Sequence, residues 1–458
     1  MPLGETYRPH FRWPRMYDTR FPKDRGWTWN RGGFYIDIGA RLRDAALVKE
    51  GMAGVELVLK SAPERHKPRF LYNLANGHLA LNDLAKSEPG FRYDPQDTPL
   101  TPAKAAFREA ISGERHIDLT LQAKLRVNYA NCLSQLGRPL EALAQYDRAL
   151  SYDPEHAMAW GNLAVEMKHL ASIARDSTLR LDAESAVREA LEGDRLERIG
   201  EGHARQQFLR LLETIEGVAP LAVPEEPENK KPHGKGARLK RYEEFCAKNQ
   251  LFLNLDALHR RHRTPRVDSM YFPLITGLKD DATFPRLARV FSEAKECYAV
   301  ARLLLFEAVD HPYATRGYDG LTYIPYSLDY SVHGIRPGKL KAAFATAYNV
   351  LDKLAVFIGR YMGIEGADRT DFERLWFEDD ELRKLRSDIC RTGNYLLFGL
   401  HDMSRVTLTR SEVTTGDLDA FVTGLRTAIW CCIRRIEVSG EPRSTETSTM
   451  LATGSSPR

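Results

Sequence analysis

AKLRVNYANCLSQLGRPLEALAQYDRALSYDPEHAMAWGNL, residues 123–163, is the stretch whose reading decides the fold. Ala130, Leu133, Ala142, Tyr146, Ala149 and Pro154 stand in it at the spacing of two antiparallel helices joined by a short turn, and a second unit opens at Trp160 and Leu163. The physical reason is packing. Small residues at 130, 142 and 149 let two helices approach closely, Tyr146 fills the groove between successive hairpins, and Pro154 stops the second helix while presetting the turn. Gly137 sits where the first helix must end.

The pattern recurs. AMAWGNLAVEM, thirty-four residues on, repeats the opening phrase with Trp160, Leu163, Ala164 and Met167 at matching positions. A weaker copy upstream opens with Leu71, Leu74 and Ala75 and closes with Ala103, Phe107 and Ala110, after the turn-rich insertion KSEPGFRYDPQDTPLTP. A still weaker unit runs from Tyr35 to Lys60, interrupted at Gly51. About four helical hairpins are therefore expected before residue 200, and at least three stacked units are needed to bury a continuous core. This periodicity resembles that of tetratricopeptide (TPR) arrays. The resemblance implies a scaffold over residues 34–218 whose groove takes a protein or peptide partner.

A chain of 458 residues with 43% hydrophobic content is long enough for more than one core. It contains no uninterrupted run of eighteen apolar residues, and its start, MPLGETYRPHFRWPR, lacks the apolar stretch of a secretory signal. A cytoplasmic protein with no membrane partner is expected. Six cysteines are scattered without CxxC spacing, which argues against a disulfide framework and a structural zinc. No GxxxxGK[ST], HExxH or GxSxG motif is present, so no cofactor and no metal are expected. His259 and His262 have metal-compatible spacing, but Arg260, Arg261 and Arg263 beside them would repel a cation.

Charge is unevenly placed. Residues 229–266 hold eleven Lys or Arg against three Asp or Glu, a local excess of +8. Two readings stay open there: a solvated linker, 219–241, that takes in the Pro/Glu-rich APLAVPEEPEN and the first basic residues, or a phosphate-contacting strip in which Lys230, Lys231, Arg260, Arg261 and Arg263 bind RNA. Residues 1–33 interleave Phe11, Trp13, Tyr17, Phe21, Trp27 and Trp29 with seven basic residues. Such an irregular arm either plugs the open end of a helical array or stacks bases, and the plug is the favoured reading.

From about residue 242 the pattern stays helical but the period disappears, which marks a second domain. One helix is expected in FPRLARVFSEAKECYAVARLLLFEAV, with Leu287, Val290, Phe291, Ala294, Tyr298, Ala301, Leu305 and Ala308 on one face. Lys295 and Arg302 border that face, and pairing with neighbouring helices is their expected role. A second helix follows Pro337 and buries Phe344, Ala347, Leu351, Leu354 and Ile358. A third is expected in DDELRKLRSDICRTGNYLLFGLHDMS, opened by acidic residues, and a fourth over 416–437. The fold class is therefore all-α, a TPR-like hairpin array followed by a helical bundle. The last stretch, 439–458, has the composition of a disordered tail.

The order and texture of SEAKECYAVARLLLFEA, YSLDYS, KLKAAFATAYNVLDKLAVFIGRYM, FERLW and GLRTAIWCCIRRIE resemble a HEPN domain (higher eukaryotes and prokaryotes nucleotide-binding) over residues 242–438. The resemblance implies a homodimer and metal-independent RNA cleavage in a defence or stress system, with an Arg, a polar residue and a nearby His converging on the phosphodiester. His would move the proton of a ribose hydroxyl, and Arg would stabilise charge on phosphate. The chain departs from that spacing. Arg386 is followed by Ser387 but meets Arg391 where His is expected, and nine residues separate Arg391 from His401. A continuous helix would still set Arg391, Asn394, Phe398 and His401 on one face. Arg386, Arg391, Asn394 and His401 are thus the candidate catalytic residues. The alternative is a non-enzymatic adaptor, in which the bundle serves dimerisation or docking and His401 is buried or separated from the other candidates.

Overall fold

The structure, a computed structural model, describes residues 25–408 except 92, 97, 175, 199–201, 218–235, 250, 254–267, 269–282, 311–315, 322–332, 380 and 393. Regular structure among the described residues is helical, apart from one isolated antiparallel bridge between Phe377 and Leu385. The all-α expectation holds. The chain divides into two compact units, Met1–Ser269 with Trp376–Ala428, and Met270–Leu375 with Ile429–Arg458.

The first unit is built from helical hairpins: α1 (Arg25–Leu42) with α2 (Ala45–Leu59), α3 (Lys67–Lys86) with α4 (Leu100–Ser112), α5 (Leu119–Gln135) with α6 (Pro139–Tyr152), and α7 (Ala157–Ala174) with α8 (Ser177–Leu191). A short α9 (Arg195–Arg198) and α10 (Ala204–Glu216) follow against α7 and α8. Asp44, Asp118 and Asp176 cap α2, α5 and α8 by accepting backbone N–H groups that would otherwise lack partners. Ala130, Ala142 and Ala149 are fully buried, as the repeat pattern requires. Tyr146 fills its groove and ties it: its hydroxyl donates to Asn131 Oδ1 at 2.7 Å, and Asn162 of the next hairpin donates to the same oxygen at 2.9 Å. Each large apolar side chain sealed between hairpins contributes about 1.5–3 kcal/mol.

Two details differ from expectation. Helix α2 runs through Gly51 without interruption, and a Cβ there would lie 2.7 Å from the Gly32 carbonyl oxygen of α1. That glycine permits a close helix crossing. Residues 25–33, placed by sequence in an irregular arm, open helix α1, while 1–24 lie outside the described residues. In the charged stretch, helix α11 (Ala237–Lys248) begins before residue 242. Lys230, Lys231, Arg260, Arg261 and Arg263 lie outside the described residues.

The same unit includes Trp376–Ala428, and here the single helix expected over 379–404 is replaced by a broken path. The Asp379 carboxylate accepts the N–H groups of Arg383 and Lys384 at 2.9 and 3.0 Å, and Leu382 sits at φ +57°. The acidic side chain therefore closes a turn that competes with helix formation. After the Phe377–Leu385 bridge come the short α15 (Ser387–Arg391) and, beyond a break marked by the non-helical Thr392 and Asn394, α16 (Tyr395–Leu408).

The second unit centres on two 27-residue helices, α12 (Thr283–Val309) and α14 (Ile335–Tyr361), with the short α13 (Arg316–Leu321) between them in sequence. Ion pairs Glu293–Lys353 (2.7 Å) and Glu307–Lys339 (2.8 Å) fix the antiparallel register of the long pair. The expected α12 face is buried at Leu287, Val290, Phe291, Ala294, Tyr298, Ala301 and Ala308, with Phe306 inside where Leu305 was expected. Arg302 is buried as well, over the Tyr298 ring. Val350, Leu351, Leu354, Phe357 and Ile358 of α14 are buried, whereas Phe344 is 40% exposed, so the buried stripe covers mainly the C-terminal half of that helix. By length and composition α14 is long and apolar enough to cross a membrane. The expected helix over 416–437 and the tail lie outside the described residues.

Candidate functional site

The candidate residues lie where α16 meets the hairpin array. The α5–α6 turn, Leu136-Gly137-Arg138-Pro139, is shaped by Gly137 at φ +78° and by Pro139 at the start of α6. A Cβ on Gly137 would lie 1.9 Å from the Tyr395 carbonyl oxygen, and one on Gly399 would lie 2.1 Å from the Gly137 carbonyl oxygen. Two glycines thus let the turn and α16 touch backbone to backbone.

That contact seats Asp402 between two buried cations. Lys104 Nζ of α4 donates to both Asp402 oxygens at 2.5 Å, and Arg138 donates to Oδ2 at 2.8 Å. Arg138 also donates from Nε to Glu141 Oε1 at 3.0 Å. All four side chains are at most 8% exposed, and two cations face two anions. Burial alone would raise the Asp402 pKa, but Lys104 and Arg138 outweigh it and bring it to about 2. Burial lowers the pKa of Lys104, with Asp402 opposing that shift. Removing one member would strand a buried charge, so the cluster fixes the register of α16 on the array.

The turn-rich insertion of the second hairpin completes the seat. Tyr93 packs on Phe398 with ring centroids 5.2 Å apart, Arg405 donates to the Pro95 carbonyl at 3.1 Å, and the Gln96 amide donates to the Arg383 carbonyl at 2.8 Å. On the other flank His169 of α7 meets the Tyr395 ring edge-on at 5.1 Å.

The four sequence-predicted residues are not assembled into one stripe. Arg386 precedes α15, where its backbone N–H donates to the Trp376 carbonyl at 2.9 Å. Arg391, on α15, is 74% exposed and pairs with Asp388 at 2.8 Å. Asn394 is buried in the break, and its Oδ1 accepts the Leu396 N–H at 3.2 Å to cap α16. His401 is 2% exposed, edge-on to Trp376 and Phe377, each ring 5.8 Å away, and neither ring nitrogen has a hydrogen-bond partner among the described residues. Burial, then Arg405, pushes its pKa down to about 4, with Asp402 opposing. Here the imidazole is neutral at physiological pH and closed to solvent. The corrected helix path is the physical reason: the expected common face required α15 and α16 to be continuous.

The model of the LA2681-like HEPN family matches residues 278–423. This supports a HEPN-like region in the C-terminal half. No curated protein and no solved structure matches the chain. The HEPN-like stretch includes both the α12–α14 pair and the broken segment carrying α15 and α16. Sequence reasoning missed Lys104, Arg138, Glu141 and Asp402. The available signal was Lys104 amid the apolar positions 103, 107 and 110 of α4, a charge in a place that demands a partner. Among the described residues no group of three His, Cys, Asp or Glu side chains is placed to hold a metal.

Proposed function

We propose that the chain acts by binding rather than by cleaving RNA: a TPR-like hairpin scaffold that holds a protein or peptide, joined to a HEPN-like region in which Arg391, Asn394 and His401 serve structure. The observation that carries this reading is His401, buried beside Trp376 and Phe377 with both nitrogens unpartnered among the described residues, while Arg391 is exposed on a separate helix. A general acid or base must come within hydrogen-bond reach of the proton it moves, and this imidazole is closed to such an approach. Cytoplasmic localisation and a homodimer through the C-terminal region belong to the proposal.

A second reading, RNA binding or metal-independent cleavage in a defence or stress system, draws on the HEPN family match. One assay separates the two. Purified wild type, His401→Ala and Arg391→Ala are incubated with a mixed RNA pool in EDTA. No cleavage by any of them is expected. Wild-type cleavage that disappears in either variant would overturn the binding proposal and restore Arg391 and His401 as catalytic residues.

A further inference from the structure

One tripeptide occurs twice at equivalent places. Glu-Arg-His, residues 64–66 and 114–116, forms a single 3₁₀ turn where the first hairpin passes to the second and again where the second passes to the third. Both turns close on the same bond, from the His66 N–H to the Pro63 carbonyl at 2.8 Å and from the His116 N–H to the Gly113 carbonyl at 3.0 Å. Their side chains are arranged alike as well. Arg65 Nε donates to His66 Nε2 at 3.1 Å, and Arg115 Nε donates to His116 Nε2 at 3.3 Å. Other cations take the two carboxylates: Lys67 pairs with Glu64, and Arg126 donates twice to Glu114, at 2.6 and 3.0 Å. Arg65 and Arg115 are exposed, and among the described residues neither meets a carboxylate.

The fold does not need these arginines. At the next junction, Pro154-Glu155-His156, the chain turns without one: His156 is buried, its Nδ1 accepts the Ala159 N–H at 3.3 Å, and Glu155 pairs with Arg198 at 3.5 Å. With Nε committed to the following imidazole, each guanidinium keeps the four N–H groups of Nη1 and Nη2, an end-on fork that matches two oxygens of an anion. The two turns are neighbours. Helices α3 and α5 are joined through Asn128 and Asn76 at 2.9 Å, and a Cβ on Gly113 would lie 2.6 Å from Pro68 Cγ, two residues beyond His66. Packed helices stand about 8–10 Å apart, too wide for one phosphate group and suited to two groups of one chain. Exposed Lys60 and Arg69 add positive charge to residues 60–69, where Glu64 is the single acid. An acidic peptide would bring its charges on flexible side chains at irregular spacing, whereas a phosphate chain repeats them along its backbone as the turns repeat theirs. We infer that Arg65 and Arg115, each held by its following histidine, form a paired docking site for a phosphate chain, the backbone of a single nucleic-acid strand or inorganic polyphosphate.

The test uses the full chain and a labelled oligouridylate, with inorganic polyphosphate and polyglutamate as competitors. Arg65→Ala and Arg115→Ala are each expected to weaken binding roughly tenfold, the scale of one charge-assisted pair. Over about 50–200 mM salt, each should also reduce the steepness of log K against log salt concentration by about 0.7, the value for one phosphate of a single strand. Melting temperatures should stay at wild type, because neither Nε bonds beyond its own turn. Arg65→Lys/Arg115→Lys keeps both charges and loses both forks, so it should bind at least about tenfold more weakly than wild type; full affinity would overturn fork recognition. Unchanged binding by Arg65→Ala/Arg115→Ala would place the phosphate contacts elsewhere in the chain and overturn the site. Polyglutamate that competes as well as polyphosphate at equal charge would overturn the phosphate assignment, and the tighter of oligouridylate and polyphosphate names the source. These readouts involve neither RNA cleavage nor peptide binding, so the site stands or falls apart from the scaffold reading.

Discussion

His401 exchanges a candidate catalytic role for a thermodynamic one. Its pKa is pushed down to about 4 in the fold, against an ordinary value of 6.5 in the unfolded chain. Between those values the unfolded state binds more protons, so stability is complete above pH 6.5, falls as pH drops toward 4, and levels off below. The full span is worth about 3 kcal/mol for this group. His78, His156 and His169, also pushed down by burial, add to the same slope. Asp402 does not: its pKa of about 2 means that its contribution is lost only as pH falls below 3.8. Replacing His401 with Phe should therefore shrink the stability difference between pH 7 and pH 4.5 by about 2–3 kcal/mol, measured by urea denaturation at both values. An unchanged difference would show that the imidazole is not held neutral. The sequence made His401 visible as chemistry, an imidazole downstream of an arginine. It could not show burial, because the walls, Trp376 and Phe377, reach it across the turn and the break that separate them in the chain.

Among the elements, the hairpins were legible and the broken C-terminal helix was not. Hairpins are set by local repetition: small residues at fixed spacing, caps at Asp118 and Asp176, and Pro139 at a helix start all act within one or two turns. The path over 377–408 depends instead on where α16 docks. Gly137 and Gly399 make that dependence measurable. Gly399→Ala drives a methyl into the Gly137 carbonyl and should cost about 1–3 kcal/mol, the range for overpacking. Gly137→Ala meets the Tyr395 carbonyl and must also hold φ +78°, adding about 1–2 kcal/mol. Gly90, at φ +84° with open space around it, is the control for backbone strain alone. Chemical denaturation should order the alanine variants with Gly137 the most damaging and Gly90 without the contact penalty. Equal losses at Gly137 and Gly90 would remove the close approach as a determinant of the fold.

On the scale of the whole molecule, helical hairpins followed by helices without the repeat period were legible from periodicity and its loss. That α16 belongs to the compact unit of the hairpins was not, since Lys104 and Asp402 are 298 positions apart and Arg138 and Asp402 are 264 apart. No local pattern encodes such a pairing; only the unexplained charge at Lys104 hints at it. The consequence is that the cluster is balanced only while Asp402 is present under the docked helix. A chain carrying Asp402→Leu keeps Lys104, Arg138 and Glu141 covered by α16 but loses the carboxylate, so two cations face one anion in a site built for balance. Breaking a buried pair on one side costs about 3–5 kcal/mol, a large part of the stability of a typical domain. The Asp402→Leu chain should melt well below wild type, and Lys104→Met introduced into it should recover part of the loss, since an apolar side chain of similar length no longer needs a partner. In the wild-type chain the same Lys104→Met change should destabilise, because there it strips Asp402 of a cation. That reversal of sign between the two backgrounds, read by thermal melting, is what the ionic latch requires. A Lys104→Met effect of the same sign in both would mean that packing rather than charge holds α16 to the hairpins.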